Sequence, residues 1–302
     1  MRTVLFMVFR RIQLLVGGTG GRGYASLPVI GAVYRGLSRA LKPAGLRDVQ
    51  YQGATMRVNA DDPLATPLLL GTDYNGPEME LVRRHLRPGM IAVDAGANIG
   101  CFSVVMSQCV GPQGRVVAFE PGPANHALLT HNIEVNGYTQ TVAERQAVAD
   151  EPGEATLHMS DSDSGYHSLS EAAAPDASSS VTVRTTSLDA YFGEPIPAVD
   201  FVKLDVQGAE MSALRGMRGL LAASPDMTLI TELDVDCMVA NGDDPREYLQ
   251  VLVDHGFRLH HISHDPRAEN PLPELTVDGA LALQAAEGRH INLYCPRTTE
   301  RG

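Results

Sequence analysis

The chain has 302 residues, 44% of them hydrophobic, enough to bury one large core or one core plus an appendage. Aromatics supply only 5% and Trp is absent, so that core must be built from Val, Leu, Ile, Ala and Met. A formal charge of −12 argues against a nucleic-acid binder, because a phosphate backbone demands a net basic surface.

The charge is uneven along the chain. Residues 1–47 carry Arg2, Arg10, Arg11, Arg22, Arg35, Arg39, Lys42 and Arg47 with no acid, a charge of +8, while the other sixteen basic and thirty-six acidic residues give −20. A boundary is therefore expected near residue 48. The apolar stretch Met1–Val16 is interrupted by Arg10 and Arg11, so it suits neither a secretory signal nor a membrane span of about 20 residues. The expectation is a basic helical extension over 1–47 that caps the main domain, or lies on an anionic membrane or a protein partner. Cys101, Cys109, Cys237 and Cys295 lack paired metal-ligand spacing and read as buried apolar residues of a reducing, cytoplasmic compartment.

Residues 48–76 alternate weakly through Val49, Tyr51, Met56 and Val58, which predicts a short β-hairpin leading into the main domain at 77–298. Glu78–Leu86 has helical spacing and stops at the breaker Arg87-Pro88-Gly89. Strands and helices then alternate. Strands are predicted at Met90–Val93, Val116–Phe119, Val142–Ala149, Phe201–Leu204, Met227–Leu233, Phe257–His261 and Ile291–Cys295. Helices are predicted at Gly100–Val110, Ala124–Val135, Glu210–Leu221 and Pro245–His255. This alternation predicts an α/β, doubly wound, mostly parallel sheet covered on both faces, with an antiparallel edge strand. One detour breaks the pattern. Its middle, Ser160–Ser180, is rich in Ser, Asp and Ala and reads as a loop, either a lid or a disordered insert, flanked by short strands at Ala155–Met159 and Val181–Val183.

Two clusters carry chemistry. In the first, the strand ending at Asp94 runs into Gly96, Asn98 and Gly100 at the start of a helix, and the next strand ends on Glu120, followed by Pro121. This is a nucleotide cradle: a tight turn for the cofactor's tail and an acid for its ribose hydroxyls. Asn98 stands where a dinucleotide fold has its second glycine and would crowd a diphosphate, whereas a methionine carboxylate is smaller. That favours S-adenosylmethionine over NAD. Asp94 could meet the ammonium of the same amino acid, and Glu120 offers two oxygens to the two hydroxyls. The alternative for Gly96 and Gly100 is tight strand–helix packing.

In the second, Asp200-Phe-Val-Lys203-Leu-Asp205-Val-Gln207-Gly208-Ala-Glu210, strand alternation puts Lys203 and Asp205 on one side, with Asp205 near the carboxyl end where open α/β sheets bind ligands. With 22 Arg and only two Lys in the chain, a Lys inside an apolar strand marks a place where guanidinium does not fit. Its structural alternative is an ion pair with Asp205 or Glu232. Glu232 ends the following strand and shares this rim, and Glu210 begins a helix.

Val93–Gly100, Phe119–Pro121 and Val202–Glu210, strengthened by Leu86–Gly89 and Gly165–Leu169, resemble the FkbM family of S-adenosylmethionine-dependent methyltransferases over about residues 75–295. The resemblance implies a Rossmann-like class I methyltransferase sheet and methylation of a hydroxyl on a sugar, polyketide or similar small molecule or glycan. It implies Glu78, Asp94, Gly96, Asn98, Gly100, Glu120 and Pro121 on the cofactor side. The family has Glu where this chain has Gln207, which leaves Asp205 and Glu210 as the acids of the motif.

An alcohol needs a base as its oxygen attacks. Asp205 is the first candidate for that role and His167 the second, with Lys203 and Glu232 completing the catalytic set. No metal is required; if a divalent ion such as Mg²⁺ binds, Asp205, Glu210 and Glu232 are its expected ligands. Two other classes compete. A nicotinamide-dependent oxidoreductase expects G-x-G-x-x-G, and residues 96–100 read G-x-N-x-G. A catalytically silent nucleotide-binding partner module would not need Lys203, Asp205, Glu210 and Glu232 on one rim. Oligomeric state is not encoded legibly.

Overall fold

A computed structural model describes residues 43–72, 74–265 and 267–297. The basic extension expected over 1–47 falls almost wholly outside the described residues. The chain divides into two compact units between Tyr74 and Asn75.

In the first unit, β1 (Leu46–Tyr51) and β2 (Ala54–Asn59) form an antiparallel hairpin. Gln52 and Gly53 turn it with φ of 52° and 84°, the left-handed pair that matches the twist of the strands. Ala54, Met56 and Val58 alternate inward, and α1 (Ala65–Leu70) follows.

The second unit is built on an eight-stranded sheet. In chain order its elements are α2 (Gly76–His85), β3 (Ile91–Ala95), α3 (Cys101–Val110), β4 (Arg115–Phe119), α4 (Pro123–Val135) and β5 (Thr141–Glu144). Then come β6 (Gln146–Val148), β7 (Gly153–Met159), β8 (Ser179–Thr186), α5 (Leu188–Phe192), β9 (Phe201–Leu204), α6 (Glu210–Arg215), α7 (Arg218–Ala223) and β10 (Thr228–Leu233). The unit closes with α8 (Val235–Ala240), α9 (Pro245–Asp254), β11 (Leu259–His261), β12 (Glu274–Leu275), α10 (Val277–Glu287) and β13 (Ile291–Pro296).

The sheet order is β12-β11-β13-β10-β9-β3-β4-β5. Strands β5, β4, β3, β9 and β10 run parallel to one another, and β13 pairs antiparallel with both β10 and β11. The fold is therefore the doubly wound α/β sheet, mostly parallel with an antiparallel edge. The chain runs outward from β3 through β4 to β5, then returns to β9 on the other side of β3. The order reverses between β3 and β9, which is where such sheets open a ligand crevice.

The two sheet faces differ. Val93, Ala95, Val117, Phe119, Val202, Leu204, Leu229, Leu233 and Leu293 project to one face and form the fully buried core with Met211, Leu214, Leu220 and Leu249 of the helices. Each such Val or Leu contributes about 1.5–3 kcal/mol of apolar burial. The opposite face carries Asp94 beside Lys203 and Glu232 beside Asn292, with Glu232 two residues beyond Ile230, the partner of Lys203. Helix α2 lies on this face, since its His85 meets Thr228 and Tyr294 while its Glu78 meets Asn292. Helix α2 thus runs against the strand direction, bringing its first turn to the carboxyl ends of the parallel strands.

Several expected elements changed. The strand expected over Val142–Ala149 is two strands: β5 stays in the main sheet, and β6 enters a separate three-stranded sheet of order β6-β8-β7. The helix expected over Glu210–Leu221 breaks into α6 and α7 at Gly216, where an added Cβ would lie 2.2 Å from the Ala149 carbonyl oxygen, so only glycine lets these segments touch. Helices α5, α8 and α10 were not expected. No helix among the described residues is long and apolar enough to cross a membrane.

Candidate active site

The turn after β3 is held by backbone first. The amides of Gly96 and Ala97 donate to the Phe119 carbonyl at 3.0 and 2.9 Å, fastening the turn to the end of β4. Gly96 has φ of 78°, and a Cβ there would stand 1.8 Å from the Asp205 carbonyl oxygen. Its glycine is thus required by the approach of the β9 loop. At Gly100 a Cβ would lie 2.7 Å from Leu129 of α4. Asn98, at φ of 51°, directs its amide group to the Ser164 carbonyl at 3.3 Å, so its side chain turns toward the inserted segment.

Glu120 ends β4 beneath this turn. Its two oxygens accept the backbone N–H groups of Asn98 and Gly122, each at 2.8 Å. Burial nevertheless pushes its carboxyl up to about 7, because two amide donors do not replace the lost water. Each oxygen keeps a second acceptor site. The buried Asn98 Oδ1 nearby has no hydrogen-bond partner. Two acceptors short of donors at the end of β4 fit a ligand that brings hydroxyl or amino hydrogens, as the diol of an adenosyl group would. Pro121 lies between Glu120 and Gly122 in the turn into α4.

Asp94 is fully buried. Its Oδ2 accepts the Ser103 hydroxyl at 2.6 Å, and its Oδ1, which has no hydrogen-bond donor, lies 3.8 Å from Lys203 Nζ. Lys203 also donates to the Gly96 carbonyl at 2.8 Å and pairs with Asp205 at 3.0 Å. Burial would lower the Lys203 pKa, but Asp205 and Asp94 outweigh it and hold the ammonium charged. One lysine therefore ties together the ends of β3 and β9 and the glycine turn, the structural role weighed for it, here with Asp94 and Asp205. Its Nζ sits 5.3 Å from the centre of the Phe102 ring, leaving little width for a guanidinium.

Beyond Lys203 the rim turns acidic. Gln207, at φ of 53°, donates from Nε2 to Asp205 Oδ1 at 2.7 Å and to Glu232 Oε2 at 2.9 Å. The other oxygen of Glu232 lies 3.4 Å from His290 Nε2. Burial, then Asp205, Glu210 and Asp234, push the Glu232 carboxyl well above its ordinary range. Glu210 is buried beneath the β9–α6 loop and accepts the N–H groups of Val206 and Gly208 at 2.9 and 3.0 Å; burial raises it to about 7. Both its oxygens brace the loop.

The segment 160–180 is built into this site. The Ser164 carbonyl accepts the side chains of Asn98 and Asn125, and the Ser168 hydroxyl donates to the Gln207 carbonyl at 2.8 Å. The Ser170 hydroxyl reaches the Ala240 carbonyl at 3.1 Å. The segment is thus fastened to the turn after β3, to α4 and to the loop after β9. His167 lies over Gly122, 3.4 Å from where a Cβ would stand. Its Nδ1 accepts the Ser160 N–H at 3.0 Å. The phenol of Tyr166 is pushed up by burial and then by Glu232, Asp163, Asp234 and Asp205, which puts it in the field of the rim.

The methyltransferase FkbM domain family matches residues 94–259, more than half of the chain. The chain belongs to the FkbM methyltransferase family. "Methyltransferase 1" of Beauveria bassiana is 31% identical over 143 residues, covering 41% of this chain and 57% of the relative. "Methyltransferase sdnD" of Sordaria araneosa is 28% identical over 154 residues, covering 41% and 59%. "Hexuronic acid methyltransferase AglP" of Haloferax volcanii is 30% identical over 131 residues, covering 42% and 50%. The chain spans little more than half the length of these relatives.

The FkbM match begins at Asp94 and ends at Leu259, so it spans the glycine turn, Glu120, the insert, Asp205 and Glu232. Glu78 lies ahead of it. Its carboxylate is 1% exposed, and its Oε1 accepts Asn292 at 2.6 Å and His264 at 2.8 Å. These partners stand on β13 and the loop after β11, so Glu78 joins the β13 end of the rim. Its Oε2 is buried with no partner. The metal set considered from sequence does not assemble: Glu210 is spent on backbone amides, and both oxygens of Asp205 are engaged by Lys203 and Gln207. Among the described residues the side chains that converge as a ligand set are Glu232, Asp234 and His290. Asp234 was within reach of the sequence, two residues past Glu232 at the strand end. His290, His264 and Asn292 carried no signal, because only the pairing of β13 with β10 and β11 brings them to this rim.

Proposed function

We propose that the chain transfers a methyl group from S-adenosylmethionine to a hydroxyl oxygen of a small-molecule or glycan acceptor. The observation that carries the reading is Glu120, a buried carboxylate beside the glycine turn whose two oxygens each accept one backbone N–H and keep a second acceptor position, which an adenosyl diol would fill. Family membership supports methyl transfer, and the relative named as a hexuronic acid methyltransferase supports a sugar-type acceptor.

When bound, the cofactor supplies an electrophilic methyl on a sulfonium. Glu120 and Asn98 would hold the ribose end, and the turn 94–100, kept in place by Lys203, would hold the amino-acid end. The acceptor hydroxyl would sit over the ends of β9 and β10. There Asp205, with its side chain 33% exposed against 8% for Glu232, orients it and takes its proton. The strap 160–180 keeps water from the crevice, so catalysis is largely positioning, which can contribute several kcal/mol.

Calorimetry on the full chain tests the first half. S-Adenosylhomocysteine should give a one-site isotherm, and NADH none; no heat with S-adenosylhomocysteine on folded protein ends the proposal. Labelled methyl offered to a panel of sugars and polyols tests the second half. Asp205→Asn should cut transfer by about tenfold or more with cofactor binding unchanged. Transfer retained within about twofold would remove Asp205 from the mechanism.

A further inference from the structure

Glu232, Asp234 and His290 reach the acidic rim from three separate places: the end of β10, the turn into α8 and the residue before β13. Their donor atoms all lie within 4.8 Å of one another. Around an ion with ligands at about 2.1 Å, octahedral neighbours stand roughly 3 Å apart and opposite ligands roughly 4 Å apart. A small inward movement therefore closes this set on a cation. We infer that Glu232, Asp234 and His290 form a binding site for a divalent cation of the Mg²⁺ or Mn²⁺ type, facing the acceptor end of the crevice.

The donor set fits that class. Two carboxylates and one imidazole, with positions left for water or ligand, suit Mn²⁺ and its like, whereas structural zinc sites take four protein ligands, mostly Cys and His. Each residue offers one ligand atom. Glu232 offers Oε1, since Oε2 accepts Gln207. Asp234 caps α8 through Oδ1, which accepts the Cys237 N–H at 3.0 Å, and the Cys237 thiol also lies against its carboxylate. His290, a third exposed, meets no closer carboxylate than the 3.4 Å contact with Glu232.

Charge points the same way. Glu232 is buried beside Asp205, Glu210 and Asp234, and the lysine of this region is committed to Asp205 and the Gly96 carbonyl. Clustered carboxylates of this kind call for a proton or a cation. A separate observation comes from α2. Glu78 approaches the same sheet face through Asn292, the cross-strand partner of Glu232, and presents a buried oxygen with no donor. The cation's role in holding the acceptor's oxygens rests on the methyl-transfer reading; its binding does not.

Mn²⁺ titrated into metal-stripped full-length protein, followed by loss of the free-ion electron paramagnetic resonance signal, tests the site. Wild type should bind one Mn²⁺ with a dissociation constant below about 1 mM. Asp234→Asn retains the helix cap, and His290→Ala removes an exposed ring; each should weaken binding by about tenfold or more and abolish the Mn²⁺-induced rise in melting temperature. No binding by wild type in that range, or binding unchanged in both variants, overturns the inference. S-Adenosylhomocysteine titrated in EDTA separates the two proposals: heat retained there, with no Mn²⁺ bound in the parallel titration, sinks the metal site and leaves methyl transfer standing.

Discussion

Gln207 Nε2 lies 2.7 Å from Asp205 Oδ1 and 2.9 Å from Glu232 Oε2, so one neutral amide holds two carboxylates at the mouth of the crevice. An amide donates without adding charge. It reduces the repulsion between the two acids while leaving both able to accept. Glu at this position would place a third carboxylate where the donor now stands.

Gln207→Glu is therefore expected to hold a proton on the rim to higher pH, because each added negative charge favours the protonated form. The acidic limb of the pH profile for methyl transfer should move up by about one unit, and Gln207→Ala should move it less. A profile for Gln207→Glu that superimposes on wild type would show that the rim carboxylates do not take part.

Lys203→Met leaves Asp94 buried opposite no charge, and breaking a buried pair costs about 3–5 kcal/mol. Urea denaturation should show a loss of that order, and the pair Asp94→Asn with Lys203→Met should recover part of it. Lys203→Arg should also destabilise, given the Phe102 ring 5.3 Å from Nζ.

Glu120 and Glu210 each ionise near pH 7 in the folded chain against an ordinary value of 4.5. The folded state therefore binds their protons more tightly than the unfolded state does. Stability from these groups is fully present below pH 4.5 and is lost as pH rises through about 7, on the order of a few kcal/mol. Urea midpoints between pH 5 and pH 8 should fall accordingly, and Glu210→Gln should flatten the trend. Hydroxyl donors favour the ionised carboxylate, so S-adenosylhomocysteine binding near pH 6.5 should release a proton from Glu120. Calorimetry in buffers of different ionisation enthalpy measures that release.

Ser168→Ala removes the hydroxyl that fastens the strap to the Gln207 carbonyl, a loss of about 1 kcal/mol confined to that segment. Limited proteolysis within 160–180 should accelerate several-fold while the global urea midpoint stays nearly fixed.

The parallel sheet and the glycine turn with its neighbouring Glu120 were legible in the sequence because both are local. An apolar strand running into Asp94, Gly96 and Gly100 is contiguous, and Glu120 closes the very next strand. The acidic rim is not local. Asp205, Glu232 and Asp234 come from two strands and a turn, while Glu78, His264, His290 and Asn292 arrive from helix α2 and from strands whose order periodicity cannot supply. The attachment of the detour was hidden for a similar reason. Ser, Asp and Ala between 160 and 180 show no apolar period because this strap is held by single hydroxyl and carbonyl contacts to Asn98, Asn125 and Gln207 rather than by a buried face. The split at Gly216 follows from a close approach to Ala149 that no helical spacing records.

Where Gly96 meets the Asp205 carbonyl, the two loops leave no room even for a methyl group. They form a single part made from two distant stretches of chain. Transplanting either loop alone from another enzyme would fail on shape before its chemistry was ever tried, so recombination and directed evolution in this scaffold should move the two together.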